Sequence, residues 1–307
     1  MENDTPIQPK IEFQTEISDF EKIIEAIMAG KKGLSYSALS AFLESPKHFY
    51  EYKTGVKETT PAMLEGKQFH MACLEPEKFE ETYWVLDDTE KVDDLLTNGY
   101  LDSKGKLVIP TSPRSTKPYK EWVIEQDKLN VGRERISKEL FDTFINMSKA
   151  LNKNKSSGYL MKILNEHESD FEEIIDGFLF KGKIDGKGEI TKDNFKENNL
   201  DLYEGDKVVI DLKKVADAKY EKIKWDIRKK NYHLQGGLYS NVSRASKYFL
   251  VYIDKGCNIL VVQLEPSILE EGYIRLETTL AEFTRCAEED AWGSSYEFFN
   301  GGYIKYS

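Results

Sequence analysis

Two acids and a lysine stand at the ends of two short β-prone runs. Gly182-Lys183-Ile184-Asp185 is followed about 25 residues later by Val209-Ile210-Asp211-Leu212-Lys213. In a strand, residues i and i+2 point to the same face. Asp211 and Lys213 therefore share a face, and Asp185 joins them if its strand is adjacent. Two carboxylates offer Mg²⁺ the hard oxygen ligands it prefers. A lysine beside them can orient or deprotonate a water, or stabilise charge on a phosphorane-like transition state. This is equipment for metal-dependent phosphodiester cleavage. The D-x-K spacing alone is weak, because exposed charges at strand ends produce it by chance. The surroundings decide.

Upstream lies Leu64-Glu65-Gly66-Lys67-Gln68-Phe69-His70, running into Leu74-Glu75-Pro76-Glu77-Lys78-Phe79. Downstream, a helix-length stretch ends in Tyr232-His233-Leu234-Gln235-Gly236-Gly237-Leu238-Tyr239. G-x-x-x-H, then D, then D-x-K, then Q-x-x-x-Y, in this order, resembles the RecE (exonuclease VIII) group of the PD-(D/E)xK, RecB-like nuclease superfamily. The opening segment from Ser37 to Phe49 is similar to that group's first helix. Arg114-Ser115-Thr116-Lys117 with Trp122 fits its middle segment, so the resemblance covers about residues 34 to 245. The order of the parts is specific, whereas each part alone is not.

Carried over residue by residue, the resemblance implies that His70, Asp185 and Asp211, with the Leu212 carbonyl, hold the metal. It implies that Lys213 is the catalytic lysine, and that Gln235 and Tyr239 close the site or hold the substrate strand. It implies Mg²⁺ as cofactor, with Mn²⁺ able to substitute, and 5′-to-3′ resection of linear double-stranded DNA from its ends. A ring-like homo-oligomer and a RecT-type single-strand annealing partner, in phage or prophage recombination, are implied with it. The group usually places threonine after D-x-K, where this chain has Lys214. It also has a glutamate in the strand before the first Asp, and Glu168, Glu172 and Glu173 all remain open for that place. Arg114 and Lys117 lie in a basic loop that could grip a DNA phosphate. Two other readings compete: a single-strand or flap nuclease of the same fold, and a catalytically silent DNA-end-binding scaffold. A silent scaffold would have no need of Asp185, Asp211 and Lys213 together.

Composition sets outer bounds. The chain of 307 residues is 40% hydrophobic and 12% aromatic, enough to bury a full core. No apolar run is long enough for a transmembrane helix, and the polar, acidic start is unlike a signal peptide. A cytoplasmic protein without membrane attachment is the expectation. Cys73, Cys257 and Cys286 are dispersed and odd in number, which suits reduced thiols and not a disulfide framework or a four-cysteine iron–sulfur cluster. The net charge of −11 argues against nucleic acid until its distribution is considered. Residues 104–155 hold 12 Lys or Arg against 6 Asp or Glu, and residues 213–230 hold 8 against 3. Residues 265–297 reverse this, with 9 acids against 2 Arg. A basic groove in an acidic shell would steer DNA to one place.

The elements that must position these residues follow from periodicity and punctuation. The expected fold class is α/β: a PD-(D/E)xK restriction-endonuclease-like core with a mixed central sheet flanked by helices. An N-terminal extension over 1–33 precedes a nuclease domain over 34–307, with a helical insertion at about 87–167. Ser18 and Glu21 predict a capping box for a helix over 19–29. Ser35 or Ser37 starts a helix through Tyr50, with Pro46 near its end. A helix from Ala62 to Leu74 presents His70, and Glu80–Leu86 reads as a strand. Residues 87–118, with three prolines, read as a long loop. Helices are predicted over 119–130, 134–155 and 157–167. A hairpin, Asp170–Ile175 and Phe178–Asp185, turns at Asp176-Gly177. Gly186–Asp206 reads as a loop. Val208–Leu212 is a central strand, and one helix runs from Ala216 to Ser240. Strands at 247–254 and 258–265 and a helix at 267–290 complete the chain. His48 and His233 sit in aromatic settings and read as packing residues.

Overall fold

The computed structural model describes residues 18–55, 60–195 and 200–301. The chain divides into two compact units, one formed by residues 1–57, 172–182 and 277–307, the other by residues 58–171 and 183–276.

The first unit begins with α1, Asp19–Met28, whose capping box between Ser18 and Glu21 is formed as its sequence predicts. Residues 1–17 of the expected N-terminal extension lie outside the described residues. The predicted helix through Tyr50 is two helices, α2, Tyr36–Glu44, and α3, Pro46–Thr54. Ser45 ends the first in extended conformation and caps the second with its hydroxyl, and Pro46 takes the first helical position, where a missing N–H costs nothing. Phe20, Phe42, Phe49, Phe283 and Trp292 meet edge-to-face in one aromatic cluster. Leu34 bridges to Phe180 in this unit.

The second unit opens with α4, Pro61–Leu74, capped by the Thr60 hydroxyl. Then come α5, Pro76–Thr82, and β1, Tyr83–Leu86. Residues 87–118 are not the long loop expected. They carry α6, Thr89–Thr97, and a small antiparallel pair, β2, Tyr100–Leu101, with β3, Leu107–Val108. Helix α7 spans Lys117–Leu129. The helix expected from residue 134 is preceded by a strand, β4, Glu134–Ser137, which pairs in parallel with β1. Only at Ser137 does a cap start α8, Lys138–Lys153. Helix α9, Lys155–Ile163, stops before residue 164, because the sequence from there enters the sheet as β5, Leu164–Ile175.

The turn at Asp176-Gly177, with both residues at positive φ, returns the chain as β6, Phe178–Glu189. Both arms run further than the sequence suggests, so their far ends belong to the first unit and their bases to the second. The central strand is β7, Lys207–Val215. The single helix expected after it is broken into α10, Tyr220–Lys229, and α11, Tyr232–Ser243. Asn231 stands between them in the left-handed region, φ 55°, a conformation that Asn tolerates better than most residues. β8, Lys247–Asp254, β9, Ile259–Leu264, and α12, Pro266–Glu288, follow.

The sheet order is β5-β6-β7-β8-β9. β6 and β7 are antiparallel, β7 and β8 parallel, and β8 and β9 antiparallel. The sheet is therefore mixed. Val208, Ile210 and Leu212 of β7 and Phe249, Val251 and Ile253 of β8 enter one core with Phe69 of α4, Phe144 and Met147 of α8 and Leu160 of α9. The alternate residues of β7 face α11, so helices cover both faces. Glycine lets α12 close on α11. A Cβ at Gly272 would fall 1.9 Å from the His233 carbonyl oxygen, a distance only hydrogen can occupy. Among the described residues no helix is long and apolar enough to cross a membrane.

Candidate active site

The candidate residues converge where β6 leaves β7. Their ladder runs from Glu189↔Lys207 to Gly186↔Ile210. The next positions in that register are Asp185 and Asp211. Residues directly opposite in an antiparallel pair point to the same face, so the two acids converge, and Lys213 joins them by strand parity. Past Gly186 the β7 backbone has no β6 partner. The Leu212 N–H donates instead to Asp185 Oδ2 at 2.7 Å. Leu212's side chain is fully buried in the core on the opposite face.

His70 reaches the same point from α4. Its Nδ1 lies 3.4 Å from Asp185 Oδ1 and 3.5 Å from Glu168 Oε1. Glu168, Asp185 and His70 each offer a ligand atom within 4.8 Å of the others, a group able to hold a metal ion. The structure thus separates the three glutamates left open by the sequence. Glu168 enters the cluster, whereas Glu172 pairs with Lys181 at 2.8 Å and Glu173 is exposed. Hairpin register is the signal that finds it. A two-residue turn at Asp176-Gly177 sets 175 across from 178, and counting back sets 168 across from 185. The ion pairs Glu172–Lys181 and Glu166–Lys187 obey the same register. Glu168 has φ 47° within its strand, a left-handed value that costs a non-glycine residue about 1–3 kcal/mol and is concentrated at functional sites.

Lys213 Nζ lies 2.7 Å from Asp211 Oδ2 and donates to Gln235 Oε1 at 3.1 Å. It also stands 4.6 Å from the centroid of the Tyr232 ring. Gln235 and Tyr239, one turn apart on α11, therefore both face the sheet. Gln235 holds the lysine, and Tyr239 packs edge-on against Phe171 at 5.6 Å. Sequence reasoning does not single out Tyr232, because nothing local marks a tyrosine as the wall of a lysine nineteen residues away. Lys214, on the other face of β7, pairs with Glu65 of α4 at 2.9 Å, tying the His70 helix to the D-x-K strand.

The electrostatics are those of crowded acids in a dry place. Burial pushes the Asp211 carboxyl up to about 6, and the neighbouring Asp185 adds to this against the opposing pull of Lys213. For Asp185 burial acts in the same direction but is outweighed by the His70 and Lys213 cations, which hold it below the usual carboxylate range. Burial alone would lower His70, yet Asp185 and Glu168 raise it to about 10. Burial likewise opposes the Lys213 ammonium, and Asp211 and Asp185 keep it charged. Two buried oxygens, Glu168 Oε1 and Asp211 Oδ2, receive no hydrogen bond, the Lys213 ammonium lying off hydrogen-bond geometry to the latter. Buried carboxylate oxygens without a hydrogen bond are costly even beside a cation, and a divalent ion bound by them would reduce that cost. Three carboxylates and an imidazole, without thiolate, suit a hard or intermediate divalent ion.

Arg114 and Lys117 are not brought into this cluster. Arg114 is held by Asp88, at 2.6 Å from Nε and 3.0 Å from Nη2, and the Tyr119 hydroxyl donates to the same carboxylate. Lys117 lies 3.6 Å from Glu121 and is 84% exposed. Other cations of the basic 104–155 segment are similarly engaged: Arg133 donates to the Glu80 and Tyr83 carbonyls, and Arg135 pairs with Asp127. His233 Nδ1 is 3.3 Å from the Ile227 carbonyl oxygen, a local contact outside the cluster.

Comparison with known proteins agrees with this core. A crystal structure described as "Putative exonuclease" from Eubacterium rectale is 15% identical, with 98% of this chain and 96% of that one covered at a TM-score of 0.50. At that identity the likeness concerns the fold. A second solved structure, that of SSO0001, is 18% identical, with 72% of this chain and 84% of that one covered at a TM-score of 0.25. No curated protein matches the chain. The family described as a PDDEXK-like domain of unknown function (DUF3799) matches residues 35–297, and the chain, with its mixed sheet and its D-x-K strand, belongs to that family within the PD-(D/E)xK nuclease superfamily.

Proposed function

We propose that the protein is a Mg²⁺-dependent DNA exonuclease, with Mn²⁺ able to replace Mg²⁺. The observation that carries this reading is the convergence of His70, Glu168, Asp185, Asp211 and Lys213 from four elements, with two buried carboxylate oxygens that receive no hydrogen bond. In this reading His70, Glu168, Asp185 and Asp211, with the Leu212 carbonyl, hold the metal, which supplies Lewis acidity toward the phosphate and the attacking water. Lys213 adds a fixed positive charge where negative charge grows in the transition state. Gln235 holds that ammonium in place, and Tyr239 closes the wall behind it. Burial of Asp211 and Lys213 keeps bulk water from screening them.

The finer reading follows the RecE-like order of motifs. The substrate is the end of linear double-stranded DNA, degraded 5′ to 3′ to leave single-stranded tails for recombination in a bacterial or phage-infected cell. A ring-like homo-oligomer would keep the enzyme on its track, and a RecT-type protein would take the exposed strand. Lys117 and Arg114 would contact phosphate, Arg114 only by sharing or leaving Asp88, so substrate binding should weaken as salt rises. Digestion of linear duplexes labelled at the 5′ or the 3′ end, with and without Mg²⁺, tests this. Early release of the 5′ label supports the proposal. Early release of the 3′ label reverses the polarity, and cutting of a closed, nick-free circle makes it an endonuclease.

A further inference from the structure

Helix α10, which joins the D-x-K strand to the helix of Gln235, carries two bare aromatic rings. Tyr220 is 58% and Trp225 70% exposed, and of this ten-residue helix only Ile223 is buried. Lys224 Nζ lies 5.9 Å from the Tyr220 ring centroid and 5.6 Å from that of Trp225. Ring, ammonium and ring thus form one continuous surface. Large rings left in water forgo the stabilisation that burial would give them. The helix is also basic. Residues 219–230 hold six Lys or Arg against two acids, in a chain whose net charge is −11. Lys222, Lys224, Arg228 and Lys230 meet Asp217, Glu221, Glu271 and Asp226, but these pairs lie at the surface, where an ion pair is weak and a phosphate can compete.

The location adds the second argument. Lys230 Nζ lies 5.9 Å from the Tyr232 ring centroid, and Lys213 Nζ lies 4.6 Å from the same centroid. One tyrosine thus separates the basic end of α10 from the lysine of the cluster. Alternating π-faces and cations are what an unpaired nucleic-acid strand binds: bases stack on the rings and phosphates meet the ammoniums. A base within a duplex has both faces covered and offers nothing to Trp225.

We propose that Tyr220 and Trp225 stack on unpaired bases of a DNA strand beside the metal cluster, with the lysines of α10 holding its phosphates. This rests on reading the cluster as a nuclease centre, because that reading brings DNA there. The test is a titration of the full chain, in chelator so that no strand is cut, with oligothymidylate and with an abasic oligonucleotide of equal length. Oligothymidylate should quench the tryptophan fluorescence, and Trp225→Ala should abolish that quenching and weaken binding about tenfold. Trp225→Phe should retain most of the affinity measured by anisotropy of a labelled strand. The abasic strand should bind more weakly and equally to all three proteins. Equal binding of the two strands by the wild type, or Trp225→Ala matching the wild type, overturns the proposal. Trp225 is exposed, so a melt of the variant should coincide with the wild type. Binding through Trp225 without cleavage of any DNA in Mg²⁺ would leave the stacking site and remove the nuclease reading. Cleavage of linear DNA with Trp225→Ala unaltered in binding would do the reverse.

Discussion

Replacing Asp211 by Asn should stabilise the metal-free protein while removing its metal chemistry. Asp211 is 3% exposed, and its carboxyl is raised from an ordinary 3.8 to about 6. The folded state therefore resists ionising this group by about two pH units, or about 3 kcal/mol at neutral pH. That figure already includes the favourable pull of Lys213, so the neutral, nearly isosteric amide escapes the whole penalty. Between pH 3.8 and about 6 the folded state binds more protons at this site than the unfolded state. Stability consequently falls as pH rises through that window. The variant's advantage should be complete above about pH 6 and vanish below about pH 4. For a chain of this size it corresponds to a rise in melting temperature on the order of 5 °C. Thermal melts of both proteins in chelator, at pH 7.5 and at pH 4, measure it. Saturating Mg²⁺ should narrow the gap, because only the wild type gains metal-linked stability, about 2.7 kcal/mol at a hundredfold excess over Kd. A variant that melts below the wild type in chelator at pH 7.5 would refute the reasoning, and would make the Asp211–Lys213 pair a net support of the fold.

The remaining predictions separate roles within the cluster. Lys213→Ala should lose most cleavage yet keep metal binding by calorimetry; loss of metal binding or of folding would make Lys213 structural. Glu168→Gln should weaken Mn²⁺ binding at least about tenfold, whereas Glu172→Gln, whose partner is Lys181, should leave it unchanged; equal effects would break the assignment of Glu168. Because His70 is raised to about 10 without metal, its ligation at pH 8 should release about one proton, read as a dependence of calorimetric heat on buffer ionisation enthalpy. Mg²⁺ and Mn²⁺ should support cleavage and Ca²⁺ only DNA binding, since Ca²⁺ accepts looser coordination; full activity in excess chelator would contradict this.

What the sequence made legible was what strand period and motif order encode. The two-residue period put Asp211 and Lys213 on one face, and an apolar run free of glycine and proline marked β7 as central. The α/β class with a mixed sheet followed from the succession of elements. That His70 lies beside the acids was visible only through its place in that order, because nothing in an apolar helix marks which histidine will face the cluster. Glu168 was within reach of register counting from Asp176-Gly177 but not of local pattern, since β5 carries acids at many positions. The break at Asn231 was hidden because a helical stripe continues through Leu234 and Leu238 on both sides of it. Residues 89–97 folded as a helix despite the loop-like composition around them. Arg114 seemed free in sequence, its partner Asp88 being 26 positions away. Pairings at that separation are set by tertiary contact, which no local window contains.

The central claim is that the Asp185, Asp211 and Lys213 cluster cuts DNA with a divalent metal. The most direct measurement places wild type and Asp211→Asn side by side on end-labelled linear duplex, in Mg²⁺ and in chelator, with both proteins shown to be folded by their melts. The account predicts progressive shortening from the ends by the wild type in Mg²⁺ alone, and none by the variant under either condition. Equal degradation by both proteins, or degradation by the wild type in chelator, would contradict it.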